Sequence, residues 1–142
     1  MIYITQIIKV LSANDIGETG AHQAGILVPK EGEILSFFPH LNPKEKNPRI
    51  ILVFREADGI TRWDFNFIYY NNRFFGGTRN EYRLTCMTKY LRARNACVGD
   101  IITLSKDTEG RLSIELNRTG LPAITQDNVL VLSGGWKVIK IK

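Results

Sequence analysis

Between residues 61 and 70 the chain places an aromatic ring at every second position: Trp63, Phe65, Phe67 and Tyr69. A period of two belongs to an extended strand, because successive side chains leave opposite faces of the pleat. Four large rings on one face need a packed interior beneath them. Just before them, residues 49–55 form an apolar run, and Asp58-Gly59 supplies the turn that folds the two stretches into a hairpin. A chain with such a hairpin in its middle is committed to a β-rich core.

The flanks agree. Residues 3–11 read as a strand that stops at Ser12-Ala13-Asn14-Asp15, and residues 24–28 as a short strand stopped by Pro29. Residues 79–86 read as a strand entered through a Gly76-Gly77 turn. Residues 101–105 and 111–117 pair around Thr108-Glu109-Gly110, and residues 129–132 and 136–141 close the chain. Two short helices are expected. One covers residues 31–38, acidic in its first turn, with Ile34, Leu35 and Phe38 on one face and Pro39 behind it. The other covers residues 87–94, whose basic end suits a helix C-terminus. Seven or more short strands with two short helices predict a mainly β (α+β) fold, a closed or nearly closed barrel capped by helices. No repeat or linker interrupts residues 1–142, which read as one domain with a single core.

Charge is concentrated in one stretch. Residues 69–94 hold Arg73, Arg79, Arg83, Lys89, Arg92 and Arg94 against Glu81 alone, a local balance equal to the formal net charge of +5. A basic surplus of this kind makes a polyanion a plausible partner. Within residues 69–85 the arginines are interleaved with Asn71, Asn72 and Asn80. Arginine and asparagine carry the planar donors that read guanine and adenine edges in the major groove, and a carboxylate accepts from the cytosine amino group. Arg79, Glu81 and Arg83 share one strand face and suit a C/G-rich site; the same spacing also suits a cross-strand ion-pair cluster. An earlier polar loop, residues 12–23, offers Asn14 and Asp15 for bases, and Ser12, Thr19, His22 and Gln23 for phosphates or bases. Its alternative is an Asx-type turn that merely shapes the loop. Lys9, Lys89, Arg92 and Arg94 suit phosphate contacts, which position a protein without specifying sequence.

Catalysis finds little support. His22 and His40 are the only histidines and lie on separate loops. No Gly-Lys-Ser/Thr follows the loop glycines, and no nucleophile stands beside a base in a known pattern. Cys86 and Cys97 lack metal or disulfide-framework spacing and fit a reduced, cytoplasmic setting. No apolar run approaches the roughly 18 residues that span a bilayer, and no signal peptide is legible.

The two polar stretches carry a family resemblance. IKVLSANDIGETGAHQAG and YYNNRFFGGTRNEYRLT resemble the N-terminal effector-binding domain of EcoRII-type restriction endonucleases, whose blocks read roughly IK-LSAND-G-TG-HQ-G and YYN-R-FG-TRNE-R-T. The first block is matched by Lys9, Leu11 to Asp15, Gly17, Thr19, Gly20, His22, Gln23 and Gly25. The second is matched by Asn71, Arg73, Phe75, Gly76, Thr78 to Glu81, Arg83 and Thr85. The resemblance implies a DNA-binding pseudobarrel of seven strands capped by two helices, like those of plant auxin- and abscisic-acid-response factors. Two arms, here residues 9–23 and 71–85, would grip the major groove of double-stranded DNA. Base recognition carries over onto Arg73, Arg79, Glu81 and Arg83, with Asn14 and Asp15 facing them. Asn71, Asn72, Gly77, Thr78, Asn80 and Tyr82 would complete the second arm. The family has lysines where this chain has Gly77 and Tyr82, a departure that bears on affinity and target. The implied target is 5′-CCWGG or a similar short site. Nuclease chemistry and its Mg2+ would belong to a fused C-terminal domain, with no cofactor in this one. Two other readings stay open: a small nuclease in its own right, and a single-strand-binding barrel module stacking bases on Phe74, Phe75 and Tyr82. Against the latter, Phe74 and Phe75 are equally expected to pack under their own loop.

Overall fold

The computed structural model describes residues 3–17, 25–30, 32–118, 129–131 and 135–139. Its elements are, in order, β1 (Tyr3–Val10), β2 (Gly25–Val28), α1 (Gly32–Phe37), β3 (Arg49–Arg55) and β4 (Arg62–Tyr70). A 3-10 turn (Asn72–Phe75), β5 (Glu81–Thr85), α2 (Thr88–Ala93), β6 (Ile101–Asp107), β7 (Leu112–Asn117), β8 (Val129–Val131) and β9 (Trp136–Ile139) follow. Among the described residues all nine strands belong to one sheet, in the order β2-β5-β4-β3-β7-β6-β1-β9-β8. The mainly β pseudobarrel with two short helices is therefore the fold of this chain.

The strand count differs from the seven that the resemblance implied. β1 is paired on both flanks, with β6 on one side and β9 on the other, so the final hairpin joins the sheet. Pairing is antiparallel except between β3 and β7, which meet in parallel through Phe54 and Arg55 only. No ladder joins the two edges of the sheet among the described residues. Instead the indole Nε1 of Trp136, on β9, donates to the carbonyl of Leu27, on β2, at 2.9 Å. That bond ties the far ends of the sheet together around the core.

Strand alternation does what the sequence required of it. Phe65 and Phe67 are fully buried, Tyr69 nearly so, and Trp63 is half covered. Tyr90 of α2 packs edge-on against Trp63 and Phe65, at 5.3 and 6.0 Å between centroids. At the other end Phe38 stacks on Phe67 at 4.6 Å, capping the core beside α1. The buried face of α1 is made by Ile34 and Phe37, one turn apart, while Phe38 is buried just past the helix end and Leu35 only partly. Leu35 packs against the core from the edge of this face, and Phe37 joins Ile34 and Phe38 in covering it.

The connection between β4 and β5 is longer than a tight turn. A Gly76-Gly77 hairpin turn was expected, but the chain instead forms the 3-10 turn, closed by Gly76 in the left-handed region (φ 92). Gly77 then passes so close to Asn72 that an added Cβ would lie 2.9 Å from the amide nitrogen. β4 and β5 do form an antiparallel hairpin with the glycines near its tip, but the reversal is a longer loop in which Gly76 ends a helical turn.

Candidate nucleic-acid interface

The second arm is built from the 3-10 turn and the strand that follows it. Its foot is Asn71, wholly buried. The Asn71 side-chain oxygen accepts from the Asn47 amide at 2.7 Å, and its Nδ2 donates to the carbonyls of Pro43 (3.1 Å) and Glu45 (2.7 Å). One buried amide thus clamps the 43–47 loop to the arm. The Arg73 amide donates to the Arg79 carbonyl at 2.9 Å, fastening the two limbs of the arm to each other.

Along β5, residues divide by face. Tyr82 and Leu84 point inward: Tyr82 stacks on Tyr69 at 4.2 Å and on Phe67 at 5.6 Å. Asn80 is held from the same side, its oxygen accepting from the Tyr69 hydroxyl at 2.7 Å. Glu81 and Arg83 face outward. Arg83 Nε donates to Glu81 Oε2 at 2.6 Å, and Arg79 Nε to Glu81 Oε1 at 3.3 Å. The Arg79 guanidinium lies over the Tyr70 ring, 3.8 Å from its centroid. Glu81 thus sits between two guanidiniums and fixes both. Burial pushes its carboxyl up, but the hydrogen bond and charge of Arg83, followed by those of Arg79, outweigh burial and hold it below the ordinary carboxylate range. The ion-pair cluster and the outward presentation of the triplet coexist.

The first arm is locked at its root. Lys9 Nζ and Asp15 Oδ2 lie 3.0 Å apart, both almost fully buried. The Ser12 amide donates to Asp15 Oδ2 at 2.9 Å, and the Asp15 amide donates back to Ser12 Oγ at 3.2 Å. This reciprocal turn is the Asx-type arrangement weighed above, and in the free protein it gives Lys9 and Asp15 to the arm's own architecture. Ser12 and Asn14 are exposed beside it. Thr19, His22 and Gln23 lie outside the described residues.

The arms meet at a cleft of about 550 Å³ lined by Lys9, Ser12, Asn14 and Asp15 from the first and Arg83 from the second. Leu27, Gly135 and Trp136 complete its wall. No local pattern marked these residues: Leu27 comes opposite Arg83 only through the β2–β5 register, and Trp136 reaches Leu27 only across the curled sheet. Tyr70 was also missed as the seat of Arg79, although its position at the end of the aromatic strand was a signal.

Other expected residues fall elsewhere. Arg73, Gly77 and Thr78 are exposed on the arm, whereas Asn71, Asn80 and Tyr82 are committed to the inner face or the clamp. Asn72 is half-buried under Gly77. Arg94 pairs with Glu56 at the β3–β4 hairpin. Lys89 and Arg92 are exposed on α2, which packs on Trp63 and Phe65 near the start of β4, whereas the arm leaves from its end. Strand rise puts Trp63 and Tyr70 about 20 Å apart. The basic window that looked continuous in sequence is split by the fold.

Comparison with known proteins adds relatives. The family model described as "Restriction endonuclease EcoRII, N-terminal" matches residues 2–108. The type II restriction enzyme EcoRII of Escherichia coli is 44% identical over 80 residues, covering 55% of this chain and 20% of that enzyme, so the match spans about a fifth of the relative's length. Among solved structures, the Arabidopsis FUS3–DNA complex superposes with a TM-score of 0.63 at 20% identity, over 84% of this chain and all of that one. The Arabidopsis thaliana transcription factor LEC2–DNA complex gives 0.61 at 20% identity, over 84% and 96%. The UbaLAI restriction endonuclease B3 domain with cognate DNA gives 0.60 at 24% identity, over 96% and 87%. At these identities the structural likeness speaks for the fold.

Proposed function

This chain belongs to the restriction endonuclease EcoRII N-terminal family, and from that premise we propose that it binds double-stranded DNA sequence-specifically through its two arms. In this reading the cleft between the arms faces the major groove. Arg79 and Arg83 donate to guanine O6 and N7, Glu81 accepts from a cytosine amino group, and Arg73 and Asn14 reach neighbouring base edges. Ser12 and the exposed Thr78 supply backbone contacts that fix register. The observation that carries the proposal is the convergence of Ser12 and Asn14 with Arg83 on one cleft, beside a triplet that Glu81 holds in place. Positioned donors of this kind lose little side-chain freedom on binding.

We assign the domain to the recognition part of a type II restriction enzyme, with 5′-CCWGG or a similar short site as target. Cleavage and its Mg2+ are assigned to a separate nuclease domain, and the cytoplasm is the compartment that fits such an enzyme. The single-strand alternative has less support, because Tyr82, one of its three stacking platforms, is stacked on Phe67 and Tyr69. A gel-shift competition at about 100 mM salt tests the proposal, since electrostatics alone still bind DNA there without preference. A CCWGG duplex is compared with the same duplex carrying a central C-to-T change, and with single strands. Binding lost with that one base pair supports direct readout. Equal binding to both duplexes, followed by no enriched sequence in a random-duplex selection, rejects it.

A further inference from the structure

Among the described residues Phe74 and Phe75 are the exposed phenyl rings. The 3-10 turn that carries them has no buried residue, and Phe74 is 64% exposed and Phe75 43%. The expectation that they pack under their own loop is not met. Nor do the rings hold the turn. It is fixed by the Asn71 clamp, the Phe74 amide bonded to the Asn71 carbonyl at 3.0 Å, the Gly77 amide bonded to the Asn72 carbonyl at 2.6 Å, and left-handed Gly76. A well-fastened turn therefore presents two aromatic faces to the outside, between exposed Arg73 and the Arg79 platform.

Resting on the duplex-DNA reading above, we infer that Phe74 packs against the C5 methyl group of a thymine or 5-methylcytosine in the major groove. The flanking arginines select a polyanionic partner by charge, and the rings must then meet something apolar on it. Major-groove base edges are donors and acceptors throughout, apart from one apolar feature, the pyrimidine C5 methyl. Phenylalanine is among the side chains suited to that contact, and it brings no polar atom that would lose hydration on approach. Phe74, more exposed than Phe75, is the ring freer to reach a base edge.

The test uses the duplex selected from random sequence as the tightest binder. Each thymine is replaced in turn by deoxyuracil, which lacks only the methyl, and each cytosine by 5-methylcytosine, which gains it. The protein is compared with Phe74→Ala, which removes an exposed ring and leaves the core intact. One thymine-to-uracil change is expected to weaken the wild type about four-fold, the worth of one buried methyl, or one cytosine methylation to strengthen it by as much. Phe74→Ala is expected to be indifferent at that position while keeping the rest of the selected sequence. Specific duplex binding with no methyl sensitivity overturns this inference and leaves the parent proposal standing, as does methyl sensitivity that survives in Phe74→Ala. A Phe74→Ala loss confined to single strands also overturns it, in favour of base stacking. Absence of any duplex binding sinks both.

Discussion

Glu81 is the residue on which the site's electrostatics turn. A carboxylate bridging two arginines lowers the cost of holding like charges together. Because its folded value is depressed, the stabilisation it gives is complete above the ordinary glutamate range. It is lost as pH falls below about 4 and through the depressed value. Thermal unfolding of the wild type and Glu81→Gln should therefore run parallel near neutrality, and the wild type should lose stability more steeply in acid. Parallel curves throughout would show that the bridge exists without energetic effect. Base readers and phosphate contacts separate at the same scale. Arg83→Ala should cost roughly 1–3 kcal/mol on the preferred duplex and relax specificity at one base pair. Lys89→Ala, on the distant α2, should weaken all duplexes alike and reduce the salt slope by about one unit if α2 touches phosphate, and do nothing if it does not. Uniform loss from both variants would mean that Arg83 reads no base. The outward direction of Glu81 and Arg83 was legible in the sequence because alternation along a strand is a local rule, whereas Arg79 precedes β5, which starts at Glu81, and takes its place from Tyr70. That Asp15 would be spent on Lys9 was not, since the pair forms between a strand and the loop it feeds.

Elements are held by single side chains more than by their own propensity. The 3-10 turn and the 43–47 loop have few apolar contacts, and Asn71 joins them with three side-chain hydrogen bonds. Asn71→Ala removes all three bonds of a fully buried amide and should cost roughly 1–3 kcal/mol, read by urea unfolding. It should also loosen the arm, so the affinity for duplex falls further than that of a surface variant. A stability change under about 0.5 kcal/mol would show that water replaces the clamp. On the opposite side, α2 buries Tyr90 completely, and the hydroxyl finds no partner among the described residues. Burial, reinforced by Glu56, pushes its phenol well above the usual range. Only the unfolded chain can then ionise this group as pH climbs past about 10, so stability falls there. Tyr90→Phe should be at least as stable at neutral pH and should lose less on the alkaline side. An alkaline limb unchanged by the substitution would assign the loss to other groups. Sequence foresaw α2 and its basic end correctly. It did not foresee that Arg94 would turn to Glu56, because that contact crosses 38 residues and depends on where the β3–β4 hairpin ends.

Across the whole molecule, the site exists because the sheet curls. β2 and β9 lie far apart in the strand order, yet Trp136 reaches Leu27 and forms a wall of the cleft whose other side carries Arg83. Trp136→Phe removes the indole donor, leaves the Leu27 carbonyl short of a partner and opens space at a fully buried position. A loss of roughly 2–3 kcal/mol in chemical unfolding is expected, with the arms splayed and duplex affinity reduced. Unchanged stability would mean that the strand ladders alone keep the sheet curled. The aromatic period of β4, the turn at Asp58-Gly59 and the concentration of arginine were enough, by themselves, to determine a β-rich core and a basic outward strand. These features depend on neighbours within a few residues, and alternation converts them directly into inside and outside. Tertiary structure alone decided the partners: which arginines stand beside the first arm, which asparagine is buried as a clamp, and which rings are left in solvent. Those outcomes depend on the register and curl of strands distant in sequence, where a shift of one residue would exchange the buried face for the exposed one.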